Sequence, residues 1–425
     1  MSILEVTRSA YSAASGSGLV SLGEAPLSDS PLHSRQSCSQ LLDQPTTIHS
    51  GPIPSCRALN RHSMPVPTGR TIVHTSILTP ICAPINSRVS ASIAGHVSWD
   101  ASNIRRSIDI GSHTLAGNRY TTELNQDYTV HQEMYAVGEI PRNGQQTYIA
   151  IICDGHGILG DKSAIYAGKA LARHVYSSSQ LRNKHLAKLE PAELMETMNA
   201  AFKKAHHAAN SLYDVPPKTV SYPAHVGDAK LAHYVLTQSD GKNVYRSEKG
   251  VDKMLECGCT CTAAIIQGRC VCLANVGDSL AVVGRREGER FTGRFVTMRH
   301  NGDSVEERKR MVDHHSSTTQ MLDDGYLHIL EQGPWAGYEL SVTRALGHKN
   351  MEHYGVIDQP FCTMLDLTTS DECLVIASDG VWDVMDAEQV VAHVMESAAQ
   401  GKSAAAAAQA LVKHAVLVGL ATEGE

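Results

Sequence analysis

The stretch Ile149-Ala150-Ile151-Ile152-Cys153-Asp154-Gly155-His156-Gly157 decides the fold. Five apolar residues without a polar break read as a short strand buried in a sheet, and the Asp-Gly-His-Gly that follows reads as the loop where the strand ends. The pattern recurs twice: Val271-Cys272-Leu273-Ala274 leads into Asn275-Val276-Gly277-Asp278-Ser279, and Leu374-Val375-Ile376-Ala377 leads into Ser378-Asp379-Gly380-Val381-Trp382-Asp383. A single Asp-Gly or Gly-Asp is turn punctuation. Three of them, each after an apolar run, read as one site assembled from distant segments. Carboxylates held rigidly at strand ends suit a hard, oxygen-preferring cation such as Mg²⁺ or Mn²⁺, and the adjacent glycines let carbonyl and solvent approach.

The rest of the chain limits the alternatives. Its net charge is −7, from 37 basic and 44 acidic residues, so no overall basic field points to nucleic acid or an anionic membrane surface. The 22 histidines are mostly uncharged at neutral pH. Aromatics make up 5% of residues against 42% apolar, so the core is built from aliphatic and small side chains. No run reaches the ~20 apolar residues of a membrane span, and the start, Met1 to Arg8, lacks the basic and apolar regions of a secretory signal. The expected protein is soluble, cytoplasmic or nuclear, and monomeric. None of the 11 cysteines falls in a C-x-x-C spacing. Cys257, Cys259 and Cys261 alternate, as do Cys270 and Cys272, and they read as small buried hydrophobes, with a soft-metal cluster as the alternative.

Residues 1–105 are rich in Ser, Pro, Thr and His with no sustained period, which predicts a low-complexity, largely disordered region; short apolar pieces such as Ser76-Ile77-Leu78 are candidate docking motifs or additions. Residues 106–425 form the expected folded domain, which holds all three acidic signatures. Helical spacing is seen over about 163–181 and 191–212, and a polar stretch from about 214 to 253 reads as an inserted surface loop. Cys259–Ile266 and Cys270–Val283 read as a hairpin around Gln267-Gly268-Arg269, with Asp278 in its second strand or at its end. Asp303 starts a charged helix through Met311, Asp386 with Gln389 makes a capping-box start, and an alanine run makes a last helix from Ser403 to about Val418.

The ordered set of signatures resembles the PPM or protein phosphatase 2C family of metal-dependent Ser/Thr phosphatases. It comprises Asn125-Gln126-Asp127, the D-G-H-G at 154–157, Gly258-Cys259-Thr260, the N-V-G-D-S at 275–279, Leu340 to Gly347, and the S-D-G-V-W-D-V-M ending at Met385. The resemblance implies an α+β fold, a four-layer α-β-β-α sandwich of two mainly antiparallel sheets. It also implies hydrolysis of phosphoserine and phosphothreonine in protein substrates by a hydroxide bridging two Mg²⁺ or Mn²⁺ ions, without a covalent intermediate. By that resemblance Asp154 bridges the ions, Gly155 offers its carbonyl, Asp379 binds the second ion and Asp127 holds surrounding waters. Asp278 and Asp383 join Asp379 in a weaker third site. His156 takes the place of the general acid, Trp382 packs in the core and Arg344 supports the site.

The chain departs from the family pattern at three places. Thr122 stands where a phosphate-gripping Arg or Lys is common, which leaves Arg119, three residues earlier, as the candidate phosphate ligand. His348 stands where Asp usually follows Ala345-Leu346-Gly347. Thr422-Glu423 occupies the spacing of the family's last Asp-Asn pair, so the final metal carboxylate and last strand are expected to be missing from a C-terminally truncated member. A catalytically impaired pseudophosphatase acting as a regulatory binding module is the competing expectation.

Overall fold

Alternating side chains on the apolar strands explain the layers. In the computed structural model, which describes residues 73–80, 108–115, 127–133, 147–224, 231–239 and 242–422, two five-stranded antiparallel sheets lie face to face. The first runs Arg290–Phe295, Leu280–Glu287, Asp371–Ala377, Val73–Pro80, Ile108–Leu115; the second runs Phe361–Asp366, Cys270–Val276, Cys261–Gln267, Thr147–Cys153, Tyr128–Glu133. Because successive residues point to opposite faces, each central strand feeds two cores. Ala150, Ile152, Ala264 and Ile266 meet Ala281, Val283, Leu374 and Ile376 between the sheets. Ile149, Ile151, Cys153, Ala263 and Ile265 point outward to the helices Gly160–Ser177 and Pro191–Asp214. Leu280, Val282, Val375 and Ala377 point outward on the other side to Ala387–Ala399 and Ala404–Thr422. The result is the α-β-β-α sandwich, and strands buried on both faces carry no polar alternation.

Several elements differ from the sequence reading. Val73–Pro80, which contains Ser76-Ile77-Leu78, forms a central strand between Asp371–Ala377 and Ile108–Leu115. The rest of 1–105 lies outside the described residues. The expected surface loop at 214–253 is instead a four-stranded antiparallel sheet of Thr219–Pro223, Leu231–Ser239, Lys242–Ser247 and Asp252–Met254. Its few large apolar residues are concentrated: Val220, Tyr222, Tyr234 and Tyr245 pack on Leu159, Leu212 and Leu255, so the stretch is polar on average yet buries one face. The strand expected over 270–283 is two strands in different sheets, Cys270–Val276 and Leu280–Glu287, separated by Gly277-Asp278-Ser279. The charged helix is Val305–His315, and its cap is Ser304, whose Oγ accepts from Glu307 N–H, rather than Asp303. Asp386 and Gln389 do form the capping box.

The cysteines sit as expected of small hydrophobes. Cys153, Cys259, Cys261 and Cys272 are buried, unbridged, in the core beneath the helices. Trp382 packs in the opposite core with its indole N–H donating to Ala377 O. Among the described residues no helix is long and apolar enough to cross a membrane.

Candidate metal centre

Strand pairing brings the acidic signatures together. Tyr128 pairs with Cys153, so Asp127 and Asp154 stand side by side at the end of the second sheet. Leu280 pairs with Ala377, so Asp278 and Asp379 stand close together at the matching end of the first sheet. Thr260 ties two of these ends. Its N–H donates to Asp154 O at 2.9 Å, its Oγ1 accepts from Asp154 N–H at 3.2 Å, and the same hydroxyl meets Ser279 Oγ at 2.7 Å. Gly277 has φ +90, and a Cβ there would fall 2.5 Å from Thr260 Cγ2, so the close approach needs glycine.

The four carboxyls feel one another. Burial, and then the Asp379 charge, hold Asp278 at about 7. Burial raises Asp127 to about 7 as well, with a hydrogen bond to Asp154 opposing and Asp379 adding. Asp154 is pushed up well above the usual carboxylate range by burial and then by Asp127, Asp379 and Asp278. Such shifts mark concentrated negative charge in a poorly solvated place. Asp278 Oδ1 and Asp379 Oδ1 are buried and accept no hydrogen bond. Oxygen donors with spare lone pairs and unneutralised charge fit Mg²⁺ or Mn²⁺. Among the described residues no three His, Cys, Asp or Glu side chains are arranged to hold an ion as they stand, so the fit rests on the donor set.

His156 lies beside this cluster, buried, with Nε2 3.9 Å from Asp154 Oδ1. It belongs to a three-stranded sheet of Leu346–Gly347, Cys257–Cys259 and Gly155–Gly157, where it pairs with Gly258. Asp383 is not drawn in: it is exposed, one helical turn beyond Asp379. Arg119 and Thr122 lie outside the described residues, as does Glu423. Arg344 supports the neighbourhood through the buried Glu307, which also takes Arg310 and Thr343. Sequence reasoning passed over Thr260 as a tether, and over Glu256, which contacts His348 deep in the fold. No short-range signal marks either, because the deciding partners, Asp154 for Thr260 and His348 for Glu256, lie more than ninety positions away.

The protein phosphatase 2C family model matches residues 228–423. Over those residues the chain is similar to the protein phosphatase 2C family. Probable protein phosphatase 2C 48 of Oryza sativa subsp. japonica is 30% identical over 164 residues, which cover 37% of this chain and 45% of that one. Probable protein phosphatase 2C 27 of the same plant is 30% identical over 195 residues, 44% of this chain and 49% of that one. The chain spans about half the length of the curated relatives it matches. The crystal structure of serine-threonine phosphatase 2C from Toxoplasma gondii superposes with a TM-score of 0.52 over 71% of this chain and 87% of that one, at 17% identity, and so shares the sandwich fold.

Proposed function

We propose that this chain hydrolyses phosphoserine and phosphothreonine in proteins with the help of Mg²⁺ or Mn²⁺. The observation that carries this reading is the meeting of Asp127, Asp154, Asp278 and Asp379 at one end of the sandwich, with His156 at their edge. Asp154, the Gly155 carbonyl and Asp379 would hold two ions and Asp127 the waters around them, while Asp278, with Asp379 and the more exposed Asp383, would form a weaker third site. Bound divalent ions supply acidity to water and neutralise phosphoryl oxygens. The chain's own residues do the rest. Thr260 and Ser279 fix the spacing of the carboxylates, the sheets exclude bulk water beneath them, and His156 presents Nε2 on the acidic side to protonate the departing alcohol.

The test is phosphate release from a phosphothreonine peptide by the 425-residue chain. Turnover should need added Mn²⁺ or Mg²⁺, stop with chelator, and vanish in Asp154→Ala. Turnover without metal counts against the reading. Weak or single-site Mn²⁺ binding with no turnover favours a regulatory binding module instead. His156→Gln should slow phosphopeptide hydrolysis more than hydrolysis of p-nitrophenyl phosphate, whose leaving group hardly needs a proton.

A further inference from the structure

His348 is the one non-glycine residue among those described with a left-handed backbone, at φ 52. It is completely buried, and so is Glu256, at 2% exposure. A large side chain held in that conformation away from water needs partners that over-determine it. His348 has them. Its N–H donates to Cys257 O at 2.7 Å, its Nδ1 lies 2.8 Å from Glu256 Oε1, and its ring lies where a Cβ on Gly258 would come within 2.1 Å of Cδ2. Glu256 is fixed in turn by Asn350, whose Nδ2 donates to Oε2 at 2.8 Å. Tyr213 braces the same strand, with its hydroxyl donating to Cys257 O and accepting from Cys257 N–H. The far nitrogen of His348, Nε2, faces His156 Nδ1 at 3.5 Å, and the two rings stack at 5.7 Å between centroids.

We infer that Glu256 and His348 are positioning residues that set the ring orientation and tautomer of His156. The inference rests on the acid role proposed for His156. A carboxylate takes the Nδ1 proton of His348, so His348 turns an acceptor, Nε2, toward His156. His156 then keeps its proton on Nδ1, and the nitrogen that gives up a proton to the departing alcohol and is left bare afterwards is Nε2, the one facing Asp154. Without this bridge the ring can flip, or carry its remaining proton on Nε2, and neither state returns the acid to its starting arrangement.

The test has two arms. Selective ¹⁵N-histidine labelling of the metal-free chain, with His156 assigned by its loss in His156→Gln, reads the tautomer directly. His156 is expected as the Nδ1–H form in the native chain and as the Nε2–H form, or an average of the two, in His348→Asn, which keeps a side chain tolerant of positive φ. In the kinetic arm, His348→Asn should lose about tenfold or more in kcat on phosphopeptide relative to p-nitrophenyl phosphate, with KM little changed. Glu256→Gln, which still offers an amide oxygen to Nδ1–H, should restore most of what Glu256→Met loses, and it serves if His348→Asn does not fold. An unchanged His156 tautomer in both His348→Asn and Glu256→Met overturns the inference. So does an equal loss on the two substrates in these variants while His156→Gln still discriminates between them. If His156→Gln itself fails to discriminate, the acid role falls, and the tautomer arm still decides whether the pair positions the ring.

Discussion

At the residue scale, the acidic cluster is a balance between charges that repel and a fold that holds them close. Asp379 contributes to the raised pKa of Asp127, Asp154 and Asp278, so removing its charge should relieve the metal-free protein. Asp379→Asn is expected to raise metal-free stability by about 1–3 kcal/mol while abolishing the Mn²⁺-induced rise in Tm, measured by calorimetry of the two chains with and without metal. A lower metal-free Tm would show that Asp379 is a structural anchor instead. Glu307 is the opposite case. Burial works to raise its pKa, but hydrogen bonds from Arg344, Arg310 and Thr343 outweigh it and hold the carboxyl at about 2. A carboxyl held below its unfolded value stabilises the fold above that value and loses the contribution as pH falls from about 4.5 toward 2. Glu307→Gln should therefore cost about 3 kcal/mol at neutral pH and flatten the acid limb of the stability curve, as read by urea unfolding at a series of pH values.

At the scale of elements, small residues let helices approach the sheets closely. The alanine run of Ala404–Thr422 is more than high helix propensity: Ala404, Ala407, Ala408 and Ala415 are buried against the first sheet, and Ala404 N–H is capped by Asp109 Oδ2 at 2.7 Å. On the strand Ile108–Leu115, a Cβ at Gly111 would lie 2.0 Å from Ala405 N, inside the helix backbone. Gly111→Val must push the helix away, at a cost of about 1–3 kcal/mol, with loss of protection in amide exchange across the first turns of Ala404–Thr422. Unchanged exchange there would mean that the strand, not the helix, yields. The insertion sheet follows similar reasoning in reverse. Its tyrosines bury their rings against Leu159, Leu212 and Leu255 and place their hydroxyls at polar partners, with Tyr245 donating to Pro217 O at 2.7 Å.

At the scale of the whole molecule, the sandwich concentrates buried acid at one end, and its stability should report that. A carboxyl whose folded pKa is raised binds protons more tightly folded than unfolded, so stability declines as pH rises toward and through the folded value. Asp127 and Asp278 titrate near 7 and Asp154 is likewise pushed well above the usual carboxylate range, while buried histidines such as His300, held near 3 by burial, act in the opposite sense until the unfolded imidazole has lost its proton, above about pH 7.5. Between pH 6.5 and 8 Asp127 and Asp278 together are expected to cost the metal-free chain about 1–2 kcal/mol. Saturating Mn²⁺ should reverse the slope, because ligands bind metal in their deprotonated form. Thermal melts across that range check both signs, and a metal-free Tm that climbs with pH would show that the carboxyls are solvated.

Period and punctuation were enough for the strands carrying Cys153, Val276 and Ala377, the two long helices under the second sheet, the capping box at Asp386 and the order of the acidic signatures. These are properties of neighbours within a few positions, where propensity and alternation act. The insertion sheet escaped because three tyrosines and a valine spaced among polar residues show no window-length period, yet they find one shared apolar surface on Leu159 and Leu212. The strand Val73–Pro80 escaped because its place between Asp371–Ala377 and Ile108–Leu115 is defined by partners that lie far along the chain. His348 read as a mere departure in sequence, since its meaning depends on Glu256 and His156, 92 and 192 positions away. Local chemistry chose which residues could serve a metal and a proton; only the tertiary pairing of strand ends decided which carboxylates share one space, because that is set by register across the sheets and not by spacing along the chain.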